Sequence, residues 1–232
     1  RGGRVKKTRL SEYDSTRTGG IIAINLVDGD EVITAKLVRS DDDLLLVTRE
    51  GMSVRFGADA ATLRPMGRTT TGVQGIRLRS GDELLAAEVV VPGAALVTVT
   101  ERGWGKRTDV DQWRRQGRNT QGVRAMRIVP ERGAMVGALV CEPTDEVYAI
   151  ASNGVVIRTG VDEIRSTGRD TMGVTVMHVP DDVHVVAVAR ATEPDEDDVV
   201  AEGATPDGEG AVEEQTAVTA TPVADGSGDA AE

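Results

Sequence analysis

Apolar residues in this chain fall in short blocks or alternate with polar ones, and no stretch keeps the 3.6-residue period of an amphipathic helix. Valine, isoleucine and threonine dominate the blocks, while glycines and polar clusters separate them, so the pattern predicts an all-β chain of short strands. The strands recur. Aligned on an opening glycine (Gly3, Gly51, Gly103 and Gly154, spaced 48, 52 and 51 residues apart), four units emerge. Each predicts a first strand ("GRVKKT", "GMSVRF", "GWGKRT", "GVVIRT"), a polar loop, and a second strand ("GIIAINL", "GVQGIRL", "GVRAMRI", "GVTVMHV"). A polar turn leads to a more apolar third strand ("EVITAKLV", "LLAAEVVV", "AMVGALVC", "VHVVAVAR"), and three units add a fourth ("DLLLVT", "ALVTVT", "EVYAIA").

Units of this length with four short strands suit radially arranged antiparallel blades, each packed on its neighbours. The expected organisation is one domain over residues 1–192, with repeats near 1–49, 50–101, 102–152 and 153–192. The last unit ends without a fourth strand and the first begins with none before it, so a closed ring cannot be built from these strands alone. The sequence is therefore expected to be a fragment, with further blades upstream supplying the closing strand.

Within three of the four repeats the loop ends on one phrase: "GRTTTGV" from Gly67, "GRNTQGV" from Gly117 and "GRDTMGV" from Gly168. Its second glycine marks a backbone angle or a close approach that a side chain would block, and its threonine is placed to hydrogen-bond the loop backbone. The arginine has no such reason in the sequence. Arg68, Arg118 and Arg169 each stand four residues before the strand glycine, with Arg64, Arg114 and Arg165 four earlier. Lys7, Arg55, Arg107 and Arg158 follow the opening glycines at the same offset; Arg4, Lys6, Arg17, Lys106 and Arg115 add to the same segments. For any single arginine a solvated surface is the simpler account. Recurrence in register instead predicts a basic stripe on first strands and loops, with acids gathered at hairpin turns such as Asp41–Asp43, Asp82–Glu83 and Asp145–Glu146.

Net charge, -11 overall, hides that stripe. Thirteen of the acids and none of the Lys or Arg lie from Glu193 to Glu232, leaving 27 basic against 25 acidic residues in the body. The segment 193–232 has scattered prolines and glycines and no aromatic residue, and is expected to be a disordered acidic tail. It either solubilises the chain or competes with a polyanionic partner for the basic stripe.

The phrases "VKKTRLSEYDS", "TGGIIAINL", "DDLLLVT", "LRPMGRTTTGVQG", "GWGKRT" and "GRDTMGV", in this order, make residues 3 to about 191 resemble the C-terminal DNA-wrapping domain of DNA gyrase A, in its actinobacterial form. The resemblance implies a β-pinwheel of four-stranded blades that exchange strands and bend duplex DNA on an outer rim. It also implies a type IIA topoisomerase, with gyrase B as partner, that introduces negative supercoils by ATP-dependent strand passage. The active tyrosine, ATP and Mg²⁺ would be held elsewhere in the full enzyme, leaving this chain no catalytic residue, metal or cofactor. The family's box Q-[RK]-R-G-G-[RK]-G is imitated by "RGGR" at Arg1–Arg4, but that run continues into Val5 at the first-strand position, so the box itself is expected upstream.

DNA-binding by this reading is indifferent to sequence, with arginines and lysines on phosphates. Aromatic residues make up only 2% of the chain, too few for single-strand stacking platforms. Two alternatives stay open: the corresponding domain of topoisomerase IV, and a propeller that scaffolds proteins. Chemistry within the chain is not indicated. His178 and His184 are too few for a catalytic cluster, "VDGDE" at Val27 lacks the later ligands of a calcium loop, and Cys141 sits in an apolar run as a small hydrophobe. With no signal peptide and no apolar run long enough for a span, the expected address is the cytoplasm, on nucleoid DNA and away from membranes.

Overall fold

The computed structural model describes residues 1–16 and 18–191; Arg17 and residues 192–232, with the acidic segment, lie outside the described residues. Three hairpins form its frame, each joining the fourth strand of one predicted unit to the first strand of the next. They are β2 (Asp43–Thr48) with β3 (Met52–Gly57), β6 (Ala95–Thr100) with β7 (Trp104–Asp109), and β10 (Glu146–Ala151) with β11 (Val156–Gly160). The opening glycine closes each turn. Gly51, Gly103 and Gly154 adopt φ of +78°, +74° and +85° and donate their N–H three residues back, to Thr48, Thr100 and Ala151.

Third strands pack onto the hairpin of the preceding unit: β5 (Leu84–Val89) on β2, β9 (Met135–Cys141) on β6 and β13 (Val185–Ala191) on β10, all antiparallel. Second strands shrink to two-residue contacts on the other side. β4 (Val73–Gln74) pairs with β1 (Arg4–Val5), β8 (Val123–Arg124) with β3, and β12 (Val174–Thr175) with β7. The described residues thus hold two four-stranded sheets, β5-β2-β3-β8 and β9-β6-β7-β12, a three-stranded sheet β13-β10-β11 and the pair β1-β4. Every sheet is built from more than one sequence repeat.

Two expected strands do not form. "GIIAINL" and "EVITAKLV" of the first unit carry no regular pairing, and Ile22, Leu26, Val32 and Leu37 are exposed. In the other units such segments pair with the hairpin of the unit before, and for these two that hairpin falls before Gly3 in the repeat. Propensity alone does not make a strand without a partner.

Three apolar clusters fill the spaces between consecutive sheets. The central one holds Leu45, Val47, Leu96, Met126 and Val140 around Trp113, whose indole N–H donates to Ser53 Oγ at 2.7 Å. Cys141 is buried in the next cluster, and burial pushes its thiol up to about 11, so it is an unreactive core residue.

Candidate nucleic-acid interface

Each loop phrase is fastened to the unit before it by the same set of bonds. The strand glycines Gly72, Gly122 and Gly173 have φ near +70°, and a Cβ on them would stand 2.4, 2.0 and 2.5 Å from the carbonyls of Val5, Ser53 and Gly105. Only glycine fits there. The loop threonines Thr70 and Thr171 donate to the carbonyls of Gly67 and Gly168 at 2.9 Å, and Thr120 Oγ1 accepts from the N–H of Gly122.

The arginine of the phrase also has a folding reason, which corrects the reading from sequence. Arg68 donates to the carbonyl of Ile22 (2.6 Å), Arg118 to that of Gln74 (3.3 Å) and Arg169 to that of Arg124 (3.2 Å). Each acceptor stands two residues after the strand glycine of the preceding unit. The guanidinium is a staple between neighbouring second strands, in a fork geometry suited to carbonyl oxygens. Arg118 holds a second carbonyl, that of Thr62, at 2.8 Å.

These staples, with backbone bonds at matching positions, set the loops side by side. Asn25, Arg77 and Arg127 donate their N–H to Thr70, Thr120 and Thr171, and Met66, Gln116 and Thr167 donate to the carbonyls of Lys7, Arg55 and Arg107. A continuous row of loops, 64–71, 114–121 and 165–172, follows.

Along that row the candidate cations divide. Lys106 is wholly buried and its ammonium donates to the carbonyls of Gly168 (2.7 Å) and Arg169 (2.6 Å) and to Thr171 Oγ1 (3.2 Å). Burial brings its pKa down to about 8, against the pull of Asp170 and with the help of Arg169. It does not face solvent and leaves the surface stripe. Lys6, at the same repeat position, serves the carbonyls of Ala23, Gly67 and Arg68. Arg4 serves Thr71 and Gly72, Lys7 serves Ala58, and Arg107 serves Asp162.

Carboxylates meet three more, against the expected segregation of charge. Buried Asp43 receives Arg55 at 2.7 Å and Arg115 at 2.5 Å, and Glu146 receives Arg158. Those guanidinium charges are locally cancelled. By contrast, Arg64, Arg114 and Arg165 are exposed and none makes an ion pair or side-chain hydrogen bond among the described residues. They occupy one repeat position on three adjacent loops.

Sequence reasoning missed other surface cations. Arg77 and Arg79, on the segment after β4, are exposed and unpartnered among the described residues. Arg77 stands five residues after the strand glycine, where the next unit has Arg127, and that recurrence was available as a signal. Arg127 itself pairs with Asp170 together with Arg124, and these hydrogen bonds, Arg127's foremost, hold the Asp170 carboxyl down to about 2. Arg132 lies over the Trp104 ring at 3.5 Å and caps the carbonyls of Met172 and Gly173. No group of three or more metal-ligating side chains occurs among the described residues.

Repeat by repeat, this arrangement matches a known family model, DNA gyrase C-terminal domain, beta-propeller, in four copies over 1–39, 42–90, 94–142 and 145–192. The chain belongs to that family. From the second copy on, the family's copies start at the first strand of each hairpin, so each includes the hairpin that neighbouring units decorate. At the sequence level the chain is 52% identical to the DNA gyrase A protein of Streptomyces coelicolor over 82% of its length, and 46% identical to that of Mycolicibacterium smegmatis over 84%. It spans 23% of each of those relatives. Among solved structures, the C-terminal domain of DNA topoisomerase IV aligns with a TM-score of 0.77 at 25% identity, covering 82% of this chain and 59% of that one. The DNA gyrase A C-terminal domain aligns at 0.72 and 24% identity, with coverage of 82% and 62%, and supports the fold. No described helix is long and apolar enough to cross a membrane.

Proposed function

We propose that this chain is the DNA-wrapping part of a gyrase A protein, and that it takes up duplex DNA along the row of stapled loops without reading base sequence. The observation that carries this is the triplet Arg64, Arg114 and Arg165: full positive charges at one repeat position, unopposed by carboxylates, on loops that hydrogen bonds fix side by side. Phosphates spaced along a duplex suit such a row, and binding would release condensed counterions. Arg68, Arg118 and Arg169 lie just behind; because carbonyls hold them, their charge is retained and adds to the field. Arg55, Arg115, Arg158 and Lys106 contribute to the scaffold. The cost of bending the duplex would be offset by phosphate binding all along the row.

In the whole enzyme the wrapped segment would be presented for strand passage, with gyrase B, ATP and Mg²⁺ acting elsewhere and negative supercoils as the product. The names of the relatives at 46–52% identity favour gyrase over topoisomerase IV. The test is a duplex titration over a range of salt with the triple change of Arg64, Arg114 and Arg165 to Ala. Loss of three phosphate contacts should lower the slope of log K against log salt by about 2 to 3, with the melting temperature unchanged. An unaltered slope would remove these loops from the DNA path.

A further inference from the structure

The three loops of the row, 64–71, 114–121 and 165–172, carry seven arginines and a single carboxylate, Asp170. It stands three residues before the strand glycine Gly173, a position filled by Thr69 in the second unit and Asn119 in the third. Both are uncharged, so nothing common to the repeat calls for an acid there. Nor does the loop need Asp170 to close, since Lys106 and Thr171 bind the carbonyls of Gly168 and Arg169.

Across the junction with the third unit, Asp170 Oδ1 receives Arg124 Nη1 at 2.7 Å and Arg127 Nε at 3.2 Å. One junction earlier the same frame is wired differently. Arg77 and Arg127 match in the repeat, and their backbone N–H groups donate to the loop threonines Thr120 and Thr171. Yet Gln74 stands where Arg124 does and Asn119 where Asp170 does, and Arg77 and Arg79 keep exposed, unpartnered guanidiniums among the described residues.

The fold gains little from the Asp170 pairing. The side chains of Arg124, Arg127 and Asp170 are 44%, 50% and 54% exposed, and ion pairs so well solvated add little to stability. What the pairing changes is the charge on offer. The carboxylate cancels one of two positive charges, occupies donors that a phosphate oxygen would use, and itself repels a polyanion. With its carboxyl held down to about 2 by those hydrogen bonds, Asp170 stays ionised at neutral pH.

We infer that Asp170 is a built-in counter-ion that withholds Arg124 and Arg127 from DNA phosphates, so that the junction of the third and fourth units grips a duplex less tightly than the junction before it. This rests on the loop row being the surface that a duplex meets. Contact along the row is then graded, firm at Arg77 and Arg79 and loose at Arg124 and Arg127, and a bound duplex lifts first from the side of the fourth unit.

Asp170→Asn, which writes the third unit's residue into the fourth, tests this in the 232-residue chain. Two more phosphate contacts should tighten duplex binding and steepen the slope of log K against log salt by about 2. In an Arg124→Gln, Arg127→Gln background the same change should leave the slope where it was, whereas mere relief of repulsion would persist there. A second readout needs no DNA. Under phenylglyoxal, with the modified sites mapped by mass spectrometry, Arg124 and Arg127 should react several-fold more slowly than Arg77 in the wild type and as fast as Arg77 in Asp170→Asn. Asp170→Thr, the second unit's residue, takes its place should the asparagine variant lose its β-sheet circular dichroism. Equal modification rates in the wild type, a slope that Asp170→Asn leaves unchanged or lowers, or a steepening that survives in the glutamine background overturns this inference and leaves the loop row standing. A wild-type chain that protects both arginines yet binds duplex with no salt dependence overturns the reading of the loop row, and the inference falls with it.

Discussion

The seam between two units and the crest of the loop that crosses it are both lined with arginine, yet the two regions put that residue to opposite uses. In the seam, Arg118 gives its donors to the carbonyls of Thr62 and Gln74. On the crest, Arg114, four positions earlier, gives its own to nothing among the described residues. Next to it on either side, Trp113 is buried and Arg115 is tied to Asp43. Charge count along this loop therefore says little about charge offered to a partner. What decides is whether a backbone carbonyl, a carboxylate or solvent receives the guanidinium.

If the seam is where stability resides, the largest loss should come from its buried tryptophan, Trp113. Trp113→Ala removes a side chain that anchors the central core cluster and takes away the indole donor to the Ser53 hydroxyl, which keeps its bond to the Val123 carbonyl. A cost of about 3 to 5 kcal/mol is expected for such a truncation, read as a fall in the urea midpoint at unchanged m-value. A loss under about 1 kcal/mol would show that the loop rides on the core without belonging to it.

Lys106 sharpens the same contrast through pH. Its folded pKa is depressed to about 8 from an ordinary value of 10.5. Between those two pH values the unfolded chain binds the proton that the folded chain has released, so this group makes stability rise with pH across that window. Below pH 8 both states are protonated and its contribution is flat. The gain across that window is at most about 3 kcal/mol, and it should be absent in Lys106→Met. Equal pH profiles for the two proteins in chemical denaturation would mean that the ammonium is not confined as the geometry has it.

Much of this architecture was legible because the repeat is written in residue types that only one backbone arrangement tolerates. The opening and strand glycines, the loop threonines and the apolar fourth strands all sit where the phrase alignment puts them. What the alignment could not show is who pairs with whom. The second strands contract to two residues because their real task is to touch the previous unit. In the first unit "GIIAINL" and "EVITAKLV", as good in β-propensity as their counterparts, stay irregular because no hairpin among the described residues precedes them. The arginines were misjudged for the same reason. A staple and a free cation look alike in sequence, since the carbonyl that tells them apart belongs to a residue 44 positions away, as with Arg118 and Gln74. Lys106 likewise reads as a surface cation until its three acceptors are seen.

The smallest effects on stability discriminate most finely between seam and crest. Arg118→Met leaves two carbonyls without a charged donor, and hydrogen bonds to charged groups contribute about 1.5 to 3 kcal/mol, so a clear loss of stability is expected. Arg114→Met removes no bond made within the described residues and should fall within about 0.5 kcal/mol of wild type. Salt dependence of duplex binding should order the other way. Loss of Arg114 takes away one phosphate contact and lowers the slope by about 1, whereas Arg118→Met, measured where the variant is still folded, should change it less because that charge sits behind the surface and stays with its carbonyls. Were Arg114→Met to destabilise the fold as much as Arg118→Met, the crest would be part of the seam, and the free triplet would lose its standing as the surface a duplex meets.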